Sequence, residues 1–180
     1  GGPGAHPQRH YPTHAGHRFE HQRLGVDLVI AVGRALLQRV VQAGAFGEKP
    51  ALTFPEGNPV GSLQRVILSE GTGPLTVKGD WLITNYLGQI WRDGKVFDNS
   101  YDRGAPSSFP IGVGGVIAGW DEALVGKKIG SRVVMSIPAD KGYKEQGNEQ
   151  AGIKGDDTLI FVVDLVGAAA NDTPLDATPA

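Results

Sequence analysis

From Leu63 onward the sequence runs in short alternations of apolar and polar residues cut by Gly, Pro, Asp and Asn, and no other feature constrains the fold as much. A period of two sends successive side chains to opposite faces, so these runs are strands, and the turn residues between them make an antiparallel sheet. The expected strands are Leu63 to Leu68, Asp80 to Trp91, Ser131 to Ile137 and Thr158 to Val166. In the last of these, Leu159, Phe161, Val163 and Leu165 face one way, and Ile160, Val162, Asp164 and Val166 the other. Between the second and third strands, Ile117, Trp120 and Leu124 share a face of a short helix, about Ala118 to Val125, which Gly126 stops. One short helix laid across such a sheet gives an α+β domain over residues 63–168.

The flanks read differently. Residues 1–24 are rich in Gly, Pro, His and Arg with little to bury, and are expected to be disordered. Residues 25–44 carry Val26, Val29, Ile30, Gly33, Leu36, Leu37, Val40 and Val41 at three-and-four spacing, which predicts an amphipathic helix ended by Gly44 and Gly47. If its apolar stripe does not pack on the domain, it seeks a partner or a membrane surface. Pro50, Pro55 and Pro59 mark residues 45–62 as an extended linker, and residues 169–180 read as a disordered tail.

Composition removes several chemistries. With 17 basic against 19 acidic residues the formal charge is -2, too close to neutral for a phosphate-tracking surface, so no nucleic acid is expected as a partner. The absence of cysteine excludes disulfides, thiolate zinc sites and thiol nucleophiles. No apolar run reaches the roughly 18 residues that a membrane helix needs. All five histidines lie within residues 6–21, so the expected domain lacks the usual general base and the best transition-metal ligands, and neither cofactor nor metal is expected there. His6, His10, His14, His17 and His21 would share one helix face able to hold nickel or zinc, but Pro7, Pro12 and Gly16 oppose that helix, and the stretch reads as a biased tail. Gly112-Val113-Gly114-Gly115 lacks the spacing of a dinucleotide or phosphate loop and reads as a turn. A cysteine-free chain permits a reducing compartment without proving one; the cytoplasm is the expected location, and, separately, a monomer is the expected state. Because the chain begins at Gly1 rather than methionine, secretion stays open.

What remains is a concentration of rings and branched side chains at turns and strand ends. In order along the chain stand Asn85-Tyr86-Leu87-Gly88, Gly94-Lys95-Val96-Phe97-Asp98-Asn99-Ser100, Tyr101-Asp102-Arg103 and Phe109-Pro110-Ile111-Gly112. Val116-Ile117-Ala118-Gly119-Trp120, Ile137-Pro138, Tyr143 and the closing Thr158-Leu159-Ile160-Phe161-Val162-Val163-Asp164-Leu165 follow. This series resembles the FKBP-type peptidyl-prolyl cis/trans isomerases over about 105 residues.

The resemblance implies a twisted antiparallel sheet half-wrapped around the short helix, with the substrate pocket between them. By that likeness Trp120 forms the floor and Tyr86, Phe97, Phe109 and Phe161 the walls, with Val116 and Ile117 at the helix entrance and Tyr143 and Ile153 from the loop beyond. It also gives the Tyr143 hydroxyl and the Ile153 backbone N–H as donors to substrate carbonyls, Asp98 as an acceptor near the twisted amide, and Arg103 as the group orienting Asp98 or Tyr86. From the residues alone, Asp98 and Arg103 also read as a surface ion pair, and the rings as ordinary core. The implied activity is rotation about X-Pro bonds in an apolar hollow, assisting protein folding, with proline-containing polypeptides and macrolides such as rapamycin as partners. The competing reading is a module that holds proline segments or macrolides as chaperone or scaffold, with little turnover. The chain departs from the family at Ser107, where an aromatic often stands, and at Lys144 and Lys154-Gly155, so a lower pocket wall and a more charged, more mobile loop over residues 140–157 are expected.

Overall fold

The computed structural model describes residue 35 and residues 37–171. The readings for residues 1–24, for most of the helix over 25–44 and for residues 172–180 lie outside the described residues. Strands β1 (Val41–Ala43), β2 (Ala51–Leu52), β3 (Gln64–Ser69), β4 (Trp81–Ile90), β5 (Val96–Asn99) and β6 (Ser107–Pro110) come first. Helix α1 (Ala118–Leu124), β7 (Arg132–Ile137) and β8 (Leu159–Ala169) follow. Strands β3 to β8 form one antiparallel sheet in the order β3-β7-β8-β4-β5, with β6 also on β4.

Strand β4 organises the sheet. It pairs with β8 along one edge, while its other edge is shared: Trp81 to Thr84 take β6, and Leu87 to Gln89 take β5. The four strands read from alternation are all present, and β8 extends to Ala169 because Ala168 and Ala169 find partners in Leu82 and Trp81. Strands β5 and β6 escaped the sequence reading. At four residues each they are too short to display a period, and their pairing to β4 is what makes them strands.

Both faces of the sheet are covered. On the inner face Leu82, Tyr86, Ile90, Val133, Met135, Ile137 and the odd-numbered residues of β8 from Leu159 to Leu165 meet Trp120, Ala123 and Leu124 of α1. Gly119 lets the helix come this near, since a Cβ there would stand 2.7 Å from Ile137 Cδ1. On the outer face Val66, Val134, Ile160 and Val162 are packed by Leu37 and Val40, with Leu52, Phe54, Leu68 and Trp91 around them.

The outer face corrects two expectations. Residues 37–40 are helical, but 41–43 form β1, which pairs with β2, so the helix expected over 25–44 stops at Val40. A local apolar period cannot register a strand partner about ten residues downstream. Leu37 and Val40 are buried on the sheet, so this part of the apolar stripe is not free for a partner. The segment read as a linker is extended but docked. Phe54 stacks on Trp91 with centroids 5.1 Å apart, and the Trp91 indole N–H donates to the Gly57 carbonyl at 3.0 Å.

The same face holds a buried ion pair. Arg132 and Asp164 are opposite each other on β7 and β8, with Nε to Oδ1 at 2.7 Å and Nη2 to Oδ2 at 2.9 Å. Such a pair is tolerable only when its remaining valences are satisfied. Arg132 also donates to the carbonyls of Gly44, at 2.7 Å, and Glu48. Asp164 accepts from the Gly47 N–H at 2.9 Å and the Tyr101 hydroxyl at 2.7 Å. Burial, and then the Asp164 carboxylate, push the Tyr101 hydroxyl well above the ordinary phenol range.

Candidate functional site

The inner face is not filled everywhere. A cavity of about 210 Å³ is lined by Tyr86 from β4, Phe97 and Asp98 from β5, Phe109 from β6, Gly115, Val116 and Ile117 before α1, Trp120 of α1, Tyr143, and Phe161 of β8. Its floor is rigid. Around the Trp120 indole stand Tyr86, Phe161 and Phe109 at centroid distances of 5.1, 5.3 and 5.4 Å, all near perpendicular to it. Phe97 meets Phe161 edge to face at 5.4 Å. Rings held in these T-shaped contacts cannot fold inward to close the space between them. The Trp120 indole N–H is buried with no acceptor among the described residues.

Two backbone features make the hollow. The pairing of β4 with β5 matches Gly88 to Asp98 and Gln89 to Val96, leaving Phe97 as an extra residue in a bulge. Successive strand residues normally face opposite ways, and the bulge is why Phe97 and Asp98 both line the cavity. Gly88 supplies the room, because a Cβ there would lie 2.7 Å from Phe97 Cζ and 2.8 Å from Phe161 Cε1.

The polar rim is a three-residue cluster. The Tyr86 hydroxyl donates to Asp98 Oδ2, and Arg103 Nη1 donates to Asp98 Oδ1 at 2.6 Å. Arg103 Nη2 reaches the Tyr86 hydroxyl at 3.3 Å and Ser107 Oγ at 2.9 Å. Arg103 thus orients both candidates, and Ser107 is its anchor. Burial pushes the Asp98 carboxyl up, but the Tyr86 hydroxyl and the Arg103 guanidinium outweigh it and hold Asp98 below the usual carboxylate range. Burial and the neighbouring Asp98 push the Tyr86 hydroxyl above the usual phenol range. At neutral pH the cluster is therefore a phenol, a carboxylate and a guanidinium.

Volume alone does not mark the site. A larger hollow of about 750 Å³ lies between residues 52–59 and the Trp91 to Gly94 turn, with Glu56, Asp93 and Asp156 on its margin. Its two rings, Phe54 and Trp91, are stacked on each other, and it lacks the perpendicular ring cluster that walls the smaller cavity. Among the described residues no group of three or more His, Asp or Glu could hold a metal ion, and the five histidines of the tail lie outside the described residues.

A family model described as FKBP-type peptidyl-prolyl cis-trans isomerase matches residues 73–166, a span that contains every residue lining the ring-walled cavity. The chain belongs to this family. An FK506-binding protein of Streptomyces anulatus is 40% identical over 119 residues, 66% of this chain and 96% of that protein. The peptidyl-prolyl cis-trans isomerase FKBP15-2 of Arabidopsis thaliana is 44% identical over 97 residues, 54% of this chain and 57% of its own length. Among solved structures, the crystal structure of AtFKBP13 matches with 34% identity and a TM-score of 0.54, covering 59% of this chain and 93% of its own.

Against the FKBP-type reading of the sequence, nine of the named side chains line the cavity: Tyr86, Phe97, Asp98, Phe109, Val116, Ile117, Trp120, Tyr143 and Phe161. Arg103 stands behind Asp98. Ile153 does not join them. It is buried in the core, and its N–H donates to the Asn148 carbonyl at 2.9 Å, so it has no hydrogen to offer a substrate. The loop closes on itself through this bond and the return bond from Asn148 N–H to the Ile153 carbonyl at 2.8 Å, a pairing no local sequence signal announces. The Ile117 N–H, by contrast, donates to no acceptor among the described residues, and it sits at the cavity. The sequence reading named Ile117 only for its side chain, although the residue before a helix always has an N–H outside the helical bonding.

Proposed function

We propose that the cavity over Trp120 is where this isomerase receives the prolyl residue of a polypeptide and where the X-Pro bond turns. The observation that carries the reading is the hollow itself: four rings held on edge around an apolar space, with one polar cluster at the rim. The barrier to amide rotation is about 18–20 kcal/mol and arises from C–N double-bond character. The planar amide places negative charge on its oxygen, where water stabilises it. Drawing the bond into a dry cleft removes that solvation, and a cleft fitted to the twisted amide binds it better than either planar isomer. No proton is abstracted, which suits a site without histidine or cysteine.

In this scheme the Tyr143 hydroxyl and the Ile117 N–H hold substrate carbonyls, and Ile117 replaces Ile153 in that role. Asp98 serves as the acceptor facing the twisted amide, kept charged by Arg103 and oriented by Tyr86. Macrolides of the FK506 and rapamycin type compete for the same hollow, a proposal supported for FK506 by the names of the relatives.

The test is a prolyl-peptide isomerisation assay run beside a titration of the Trp120 indole N–H signal. Catalysed exchange that a macrolide abolishes, with the indole signal moving in both titrations, is expected. Peptide binding without rate enhancement favours the holding-module reading, and an unmoved indole signal overturns the site.

A further inference from the structure

Residues 44–49 precede the span matched by the family model, yet they are bonded to the turn that carries Arg103. That turn, Tyr101–Arg103, is a single 3-10 turn whose own backbone hydrogen bonds are few and long, Arg103 N–H to Ser100 O at 3.1 Å and Gly104 N–H to Tyr101 O at 3.3 Å. Asn99 steadies its base, accepting from the Tyr101 N–H at 3.0 Å and donating to Asp102 at 2.7 Å, and further ties come from outside. At its start the buried Ser100 is fixed to β4, accepting from the Tyr86 N–H at 2.8 Å. On the outer face Tyr101 donates to Asp164, which accepts also from Gly47, while Arg132 grips the carbonyls of Gly44 and Glu48. A second tie runs at the surface from Lys49 Nζ to Asp102 at 3.0 Å. The next residue is Arg103, which reaches the pocket rim at Asp98.

We propose that residues 44–49 and Tyr101 are positioning elements that aim Arg103, and through it Asp98, from the far side of the sheet. Arg103 is half exposed, and such a long arm loses its orientation unless its backbone and head are both held. Ser107 and Asp98 hold the head; Tyr101 and Asp102 hold the backbone beneath it. The segment before the family domain is thereby part of the site's support. The catalytic consequence rests on the pocket reading above, whereas the link between the two faces does not.

The test loosens the segment without touching the cavity. Gly44 has φ +112°, and a Cβ there would lie 2.7 Å from Arg132 Nη1, so Gly44→Val displaces residues 44–48. The Lys49→Met and Tyr101→Phe double variant serves where Gly44→Val does not fold. In the full chain, the Arg103 side-chain nitrogen signal and the titration of the Asp98 carboxyl are followed; Tyr86 and Arg103 are the ionisable groups that face Asp98. Expected are a displaced, broadened Arg103 signal, an Asp98 midpoint that moves up toward the ordinary carboxylate value, and kcat/KM lowered about three- to tenfold. A folded variant that melts earlier but keeps the wild-type Arg103 signal and Asp98 midpoint overturns the proposal, because a merely structural role would leave both in place. Shifted signals with an unchanged kcat/KM would sustain the link between the faces and overturn the role that the pocket reading gives Asp98 instead.

Discussion

The two faces of the central sheet come from the same strands and end in opposite states. The outer face is packed mainly by aliphatic chains, Leu37 and Val40 over Val66, Val134, Ile160 and Val162, with the Phe54–Trp91 stack at its margin, and it holds the buried Arg132–Asp164 pair. The inner face is lined with rings locked edge to face, and keeps a hollow of about 210 Å³. The difference lies in the rings: fixed by several perpendicular neighbours, those of the inner face hold a gap open. Both faces carry core packing, and the ring-walled hollow is a feature of the inner one.

The sharpest way to break this division is Asp164→Ala. It leaves Arg132 buried without its carboxylate, and stability measured by denaturant unfolding is expected to fall by about 3–5 kcal/mol. Next comes the cavity itself. Gly88→Ala pushes a methyl group against Phe97 and Phe161, and the expected result is turnover lowered about tenfold or more, near 1.4 kcal/mol in the barrier. Its unfolding midpoint should drop less than that of Asp164→Ala; the reverse order would abolish the contrast between the faces.

A smaller effect is expected at Phe54→Ala, which removes the stack on Trp91. About 1 kcal/mol of stability should be lost in thermal melts, with isomerase rates unchanged. The smallest effect concerns pH. Because Asp98 titrates below its ordinary value in the folded protein, the stability it contributes is present above that ordinary value and disappears as pH falls through the lower folded one. Carbon-detected titration of the carboxyl should show this low midpoint, and Arg103→Met should raise it.

The site was more legible in the sequence than its polar details. Nine of the lining side chains were readable because the ordered series of motifs resembles the FKBP-type family, and that resemblance implies them as pocket residues. Ile153 was misread because its N–H is consumed by Asn148, a bond set by the closure of the loop rather than by residue type. Ile117 was named for its side chain when its unpaired N–H is the more useful group. Strands β5 and β6 stayed hidden for want of length, and the docked course of residues 44–61 for want of any local sign of the surface it would meet.

By itself the sequence determined the alternation that makes β3, β4, β7 and β8, the short helix that Trp120 sits on, and the absence of histidine and cysteine from the described residues. These follow from periods and composition, which are properties of neighbours along the chain. Only the tertiary structure decided that Phe97 bulges to share a wall with Asp98, that the rings leave a space, and that Arg132 and Asp164 bind a segment more than eighty residues upstream. Register, enclosed volume and buried charge pairing arise from contacts between distant segments, and no local pattern encodes them.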